Sequence, residues 1–186
     1  MKILIVGGVA GGASAATRLR RLDERAEIIL FEKGPYVSYA NCGLPYYIGG
    51  VIAEKEKLLV TKPELLRRRF CIDVRTENEV TAIDRAAKKV TVRDLRTNRT
   101  YEESYDKLLL SPGAAPKRLP VEGNDLEGVF TLRTVPDTLA IDAYIREKRV
   151  KQAVVVGAGF IGVEMAENLK KRGLDVTIVE FLDQAV

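Results

Sequence analysis

The chain has 186 residues, 46% of them hydrophobic and 30% charged, with 15 Gly, 7 Pro, 2 Cys and no His. That composition belongs to a globular protein and excludes disordered, collagen-like and membrane-bundle classes. A formal charge of +4 is too small to argue for nucleic acid. Two cysteines without histidine exclude a usual four-ligand Cys/His zinc site, a Ser-His or Cys-His catalytic pair and a disulfide scaffold, so no metal site and a reducing, cytoplasmic setting are expected.

In chain order, Ile3 to Val6 is a short β-branched apolar run ending at Gly7, the pattern of a buried parallel strand. It is too short for the apolar core of a secretory signal, and no run approaches the ~18 apolar residues of a membrane span. Ala13 to Leu22 reads as a helix with an apolar stripe of Ala13, Ala16 and Leu19, and Ile28 to Glu32 as a second strand. Cys42 stands at the expected start of a short helix, and Cys71 at the start of an expected strand, as a structural thiol. Val80 to Asp84, Lys89 to Asp94 and Tyr101 to Ser104 alternate apolar and polar residues, which predicts an antiparallel meander over about 76–106. Leu108 to Leu110 reads as a buried strand, and Val135 to Lys148 as an amphipathic helix using Leu139, Ala140, Ala143 and Tyr144. Ala153 to Val156, a glycine-rich loop, a helical stripe of Ile161, Met165, Ala166 and Leu169, and Val176 to Glu180 then repeat the opening order, displaced by 150 residues. The expected fold class is α/β: two Rossmann-like dinucleotide-binding units, the second truncated, with the meander inserted. The expected domains are 1–112, a linker at 113–127, and 128–186.

Gly157-Ala158-Gly159-Phe160-Ile161-Gly162 matches G-x-G-x-x-G between strand and helix, and Glu180 follows Gly162 by 18 residues. Gly157 permits the tight turn, Gly159 the approach of a pyrophosphate, and Gly162 close packing of helix on strand. Glu180 accepts from a ribose 2′-hydroxyl and repels a 2′-phosphate, which favours NADH over NADPH. Gly7-Gly8-Val9-Ala10-Gly11-Gly12, with Glu32 20 residues beyond Gly12 and Lys33 beside it, fits the same template with one departure. Val9 occupies the second glycine position, so it needs φ below zero and displaces chain or phosphate outward. Two such sites imply two cofactors, and a flavin with a nicotinamide is the common pairing. Cys42, between Asn41 and Gly43, is then the expected redox thiol, since a helix N-terminus offers partial positive charge and N–H groups to a thiolate. Arg18, Arg20 and Arg21 read either as a solvated helix face or as a phosphate-capturing surface. Arg67, Arg68 and Arg69 read as surface.

The strings GGVAGGASAATR, SYANCGLPYYIGG, YDKLLLSPGAAP and VVVGAGFIGVEMAENL resemble the pyridine nucleotide-disulfide oxidoreductases, within them the coenzyme A-disulfide reductase branch with its related persulfide reductases. The resemblance implies FAD at the first glycine cluster and NAD(P)H at the second. It implies Cys42 as the one redox-active cysteine, alternating with a mixed disulfide to coenzyme A. Ser38 and Asn41 match positions contacting coenzyme A near that cysteine, and Ser14, Arg18 and Arg21 match positions near its phosphates. Ser111-Pro112-Gly113-Ala114 resembles the segment linking the FAD and NAD domains, which adds Ser111 and Gly113 to the cofactor set. The implied activity passes electrons from NAD(P)H through flavin to Cys42, which reduces coenzyme A disulfide or a related disulfide or persulfide. The sister NADH oxidases and peroxidases carry a His in the first glycine loop; Ala10 stands in that region here. An oxidase or peroxidase using a cysteine sulfenic acid, or a non-catalytic nucleotide-binding fragment, are the alternatives. Family members are homodimers, but the dimer domain and the rest of the NAD half are missing, so the chain reads as an N-terminal portion. No nucleic-acid or membrane partner is expected.

Overall fold

The computed structural model describes residues 1–185; Val186, the end of the expected second domain, lies outside the described residues. Contacts divide the chain into two compact units. One comprises Met1–Tyr39 with Leu59–Ala114; the other comprises Ala40–Leu58 with the chain from Ala115 onward.

The first unit is three layers. Strands β1 (Lys2–Val6), β2 (Glu27–Glu32), β3 (Asp73–Thr76) and β7 (Lys107–Leu110) form a parallel sheet in the order β3-β2-β1-β7. Helices α1 (Gly11–Leu22) and α3 (Pro63–Phe70) belong to this unit. An antiparallel meander of β4 (Asn78–Asp84), β5 (Lys89–Asp94) and β6 (Thr100–Ser104) completes it. Strand alternation sorts the core in two. Ile3, Ile5, Ile28 and Leu30 pack with Ala16 of α1 and Leu66 of α3. Leu4, Ile29 and Phe31 pack with Val90 and Val92 of the meander. Since both faces of β1 and β2 are covered, their sequences read as continuous apolar runs rather than alternating ones.

In the second unit, β8 (Gln152–Val156) and β9 (Asp175–Val179) pair in parallel. Around them lie α4 (Val135–Glu147), α5 (Phe160–Lys171) and the five-residue α2 (Leu44–Ile48). Ile48, Ile141, Ile145, Met165, Leu169 and Leu174 form its core, with Ala153, Val155 and Val176 packed against it.

Several elements differ from expectation. Helix α1 starts at Gly11 rather than Ala13. Helix α3 was not anticipated, although its signals are present: Pro63 in the first turn, Glu64 beside it, and Arg67, Arg68 and Arg69 in the last turn. Cys71 lies outside any strand, exposed at the C-cap of α3 with φ 47°. Leu108 and Leu109 are half-buried and Leu110 is exposed, because β7 is an edge strand of its sheet. Helix α4 turns Thr138, Ile141, Asp142 and Ile145 inward and leaves Ala140 exposed. Ile141 and Ile145 join the core of the second unit, and Asp142 pairs with Arg172.

Candidate active site: two glycine cradles and a cysteine cleft

The first cradle lies at the end of β1. Gly7 has φ +94°, and its N–H donates to Phe31 O at 2.8 Å. A Cβ at Gly7 would lie 2.0 Å from Ser111 O, and one at Gly12 would lie 1.8 Å from Gly7 O. The loop is therefore pressed between the Ser111 turn and the first turn of α1. Ser111 N–H donates to Val6 O at 2.7 Å, and a Cβ at Gly11 would meet Ser111 Oγ. Glu32 closes the loop from below: its Oε2 accepts from Gly8 N–H at 2.7 Å and its Oε1 from Gly34 N–H at 2.8 Å. A carboxylate has about four acceptor positions, so two remain for the hydroxyls of a ribose. Val9 is not among the described non-glycine residues with positive φ, as its side chain requires. Gly7, Gly8, Gly11, Gly12, Glu32 and Ser111 are thus brought together. Lys33 pairs instead with Glu79 at 2.7 Å, and Gly113, with φ +72°, is exposed.

The second cradle repeats the device with other residues. Gly157 has φ +103° and donates to Val179 O at 2.8 Å. A Cβ at Gly162 would lie 1.9 Å from Gly157 O. Ala158 N–H donates to Glu180 Oε2 at 2.5 Å, while Phe181 and Leu182 N–H donate to Oε1 at 2.7 and 2.9 Å. Those N–H groups, Ala158 foremost, hold the Glu180 carboxyl below the usual carboxylate range. Gly159 is the N-cap of α5 in extended conformation, and Phe160 and Ile161 are exposed.

Both cradles open onto helices without a side-chain cap or an acid in the first turn: Ala10 precedes α1 and Gly159 precedes α5. The contrast is α4, where Thr134 and Asp137 form a full capping box. Uncapped first-turn N–H groups, with glycine where a Cβ would fill the space, suit a pyrophosphate. The residues present therefore fit two dinucleotides.

Cys42 belongs to the second unit. It is a free, exposed thiol in the 3₁₀ turn Asn41–Gly43, directly ahead of α2. The turn closes through Gly43 N–H to Ala40 O at 2.9 Å. Asn41, Cys42, Leu44 and Pro45 line a cleft of about 130 Å³ with Leu132, Arg133, Ile161 and Glu164. Arg133 Nη1 donates to Asn41 Oδ1 at 3.3 Å. Arg133 was not singled out in the sequence; its signal is its place immediately before the Thr134 cap that fixes α4. Ile161, expected in the nucleotide loop and in the apolar stripe of its helix, also lines the cysteine cleft.

Ser14, Arg18, Arg21 and Ser38 belong to the first unit. Ser14, Arg18 and Arg21 are exposed on α1. Arg20 is different: its guanidinium donates to the carbonyls of Phe70, Cys71 and Glu24 at 2.7–2.9 Å, so it latches α1 to the end of α3. Ser38 has φ 47°; its N–H donates to Gly8 O and its carbonyl accepts from Val60 and Thr61. A larger cleft of about 340 Å³ lies among Tyr36, Lys62, Arg67, Thr76 and Arg96. It holds none of the expected site residues, and two of its cations are paired, Arg67 with Glu64 and Arg96 with Glu77. Among the described residues no helix is long and apolar enough to cross a membrane.

The chain is 48% identical over 178 residues to the coenzyme A disulfide reductase of Staphylococcus haemolyticus, covering 96% of this chain and 40% of that protein. The crystal structure of reduced CoADR-RHD from Bacillus anthracis is similar over the whole chain, with a TM-score of 0.98 and 55% identity, and covers 33% of that chain. The NAD-dependent persulfide reductase of A. fulgidus follows with a TM-score of 0.95 and 40% identity over the whole chain, 34% of its own. The chain thus spans well under half the length of these relatives. The family profile described as pyridine nucleotide-disulphide oxidoreductase matches residues 1–186, and the chain belongs to that family.

Proposed function

We propose that the chain supplies the cofactor cradles and the reacting thiol of a flavin-dependent NADH:disulfide oxidoreductase, with coenzyme A disulfide or a related disulfide or persulfide as substrate. The observation that carries the reading is the exposed Cys42 thiol in a cleft walled by the first turns of α5, Ile161 and Glu164. A thiol beside the helix that a nicotinamide nucleotide would address supports this reading. The reading assigns FAD to Gly7, Gly8, Val9, Ala10, Gly11, Gly12, Glu32 and Ser111. It assigns NADH to Gly157, Gly159, Phe160, Ile161, Gly162 and Glu180. The corresponding domains are a flavin-binding part at 1–112 and a nicotinamide-binding part at 128–186.

Each residue has a task. The uncapped turns of α1 and α5 donate N–H groups to pyrophosphate oxygens. Glu32 and Glu180 accept from ribose hydroxyls; Glu180, held ionised by three N–H groups, repels a 2′-phosphate and so supports NADH. The Cys42 thiolate attacks one sulfur of the disulfide, the S–S bond breaks, and the other sulfur leaves as a thiolate, giving a mixed disulfide on Cys42. A flavin held by the first cradle would supply the two-electron relay from NADH that breaks the mixed disulfide, freeing the second substrate thiolate and returning Cys42 to its thiolate. Asn41, held by Arg133, orients the substrate next to the thiol, and Ser38 offers the substrate a hydroxyl. Ser14, Arg18 and Arg21 offer hydroxyl and guanidinium groups to its phosphates. Two free thiols support a reducing, cytoplasmic setting.

The test is covalent. The protein, reduced and then treated with coenzyme A disulfide, is expected to carry one coenzyme A on the Cys42 peptide by mass spectrometry, and none on Cys71. A Cys42→Ser variant should carry none. No adduct on wild type, or equal labelling of Cys71, would overturn the reading.

A further inference from the structure

Cys42 rides on a segment too short to hold itself. Helix α2 has five residues, whereas isolated helices below ~12 residues are marginal. Its order comes from the rest of the second unit. Ile48 is fully buried, in one core with Ile141 and Ile145 of α4 and Met165 and Leu169 of α5. The last carbonyls of a helix lack helical partners; here Ile48 O accepts from Arg172 Nη1 at 2.7 Å. The same nitrogen lies 2.6 Å from Asp142 Oδ1, and Arg146 holds Asp142 Oδ2 at 2.8 Å. The side chains of Arg172 and Asp142 are only 18% and 12% exposed, so this is not a screened surface pair.

One residue further on, the backbone of Gly49 abuts a side chain of α5. A Cβ at Gly49 would lie 2.4 Å from Asn168 Oδ1 and 2.8 Å from Asn168 Cβ. Asn168 is fully buried; its Nδ2 donates to Glu164 O at 2.8 Å and its Oδ1 has no partner among the described residues. One turn and two turns earlier on the same helix stand Glu164 and Ile161, which line the Cys42 cleft. One helix thus carries the second glycine cradle at its start, the wall of the thiol cleft next, and the contacts with α2 at its end.

We propose that Arg172 is a positioning residue for Cys42: by gripping the Ile48 carbonyl together with Asp142, it fixes α2 against α5 and sets where the thiol stands in its cleft. The inference rests on Cys42 being the reacting thiol, but its test needs no turnover. Rates of reaction with neutral dipyridyl disulfide are measured from pH 6 to 9, resolved by peptide mass spectrometry, with Cys71 as the internal reference. Amide exchange over residues 46–50 reports whether the grip is broken.

Arg172→Met is expected to speed that exchange at least tenfold. It should slow Cys42 at least fivefold across that range, because the thiol no longer stands where its cleft holds it. Cys71 should stay within twofold. Arg172→Lys keeps a donor for Ile48 and is expected to restore Cys42 to within twofold of wild type. Faster exchange with an unchanged Cys42 rate would overturn the proposal, as would failure of Lys to rescue when exchange is restored. If Arg172→Met does not fold, Asp142→Asn, which keeps shape and removes the countercharge, is read the same way, and an unchanged Cys42 rate there overturns the proposal. Shifts of Cys42 reactivity in a protein that takes no coenzyme A would support the positioning role and count against the functional reading.

Discussion

Replacing Gly12 by Ala puts the first cradle to a quantitative test. The added Cβ would sit 1.8 Å from Gly7 O, and real Cβ contacts do not come below 3.0 Å. The first turn of α1 must therefore retreat by about 1.2 Å, because Gly7 cannot yield: its N–H is tied to Phe31 O. Overpacking of this kind costs about 1–3 kcal/mol. Exchanging Gly for Ala inside a helix returns up to about 1 kcal/mol. The expected net loss is about 1–2 kcal/mol, read from urea unfolding followed by tyrosine fluorescence. The same retreat lengthens a phosphate hydrogen bond of about 2.9 Å beyond bonding distance, so FAD affinity measured by flavin fluorescence should fall at least tenfold. Gly11→Ala is the control. Its Cβ meets only the Ser111 hydroxyl, at 2.7 Å, which can rotate away, so stability should hold or rise slightly. A Gly12→Ala protein within 0.5 kcal/mol of wild type that binds FAD normally would refute the packing argument.

Two further outcomes are expected. Glu180→Ser removes the carboxylate from the second cradle, so discrimination against NADPH should fall at least tenfold in nucleotide titrations; unchanged discrimination would show that another group sets it. Glu103→Gln weakens a partly buried junction where Glu103 holds Lys2 at 2.5 Å and Arg75 at 2.7 Å, at a cost of about 1.5–3 kcal/mol at pH 7. Burial alone would raise the Glu103 carboxyl, but Lys2 and Arg75 outweigh it and hold it below its ordinary 4.5. Its contribution is present above about pH 4.5 and is lost as pH falls through the lower folded value. The stability gap between wild type and variant should therefore close in acid, and a gap that persists at pH 3 contradicts the assignment.

The glycine cradles were legible because their chemistry is local: a strand, glycines at fixed offsets, and an acid ending the next strand. The backbone roles of Glu32 and Glu180 were not, since a carboxylate accepting from Gly8 or Ala158 leaves no mark in spacing. Asp142 and Arg172 were hidden for another reason. Charged residues on an amphipathic helix read as its solvent face, and only the packing of α4, α5 and α2 turns this pair inward. Residues 40–58 follow the first cradle in sequence, so they read as part of its domain. Their contacts form with residues 115 onward, because the apolar side of α2 finds its partners in Ile141, Met165 and Leu169.

That discontinuity matters for the order in which the protein is made. The ribosome releases Cys42 early, but the last member of the core that seats Ile48 is Leu174. Until more than a hundred further residues have emerged, α2 has nothing to fold against, and the thiol sits on an unanchored loop. Long sequence separation slows such a closure. Cys42 thus reaches its folded geometry long after it has been made, and nascent chains should be most open to oxidation at Cys42 during that interval.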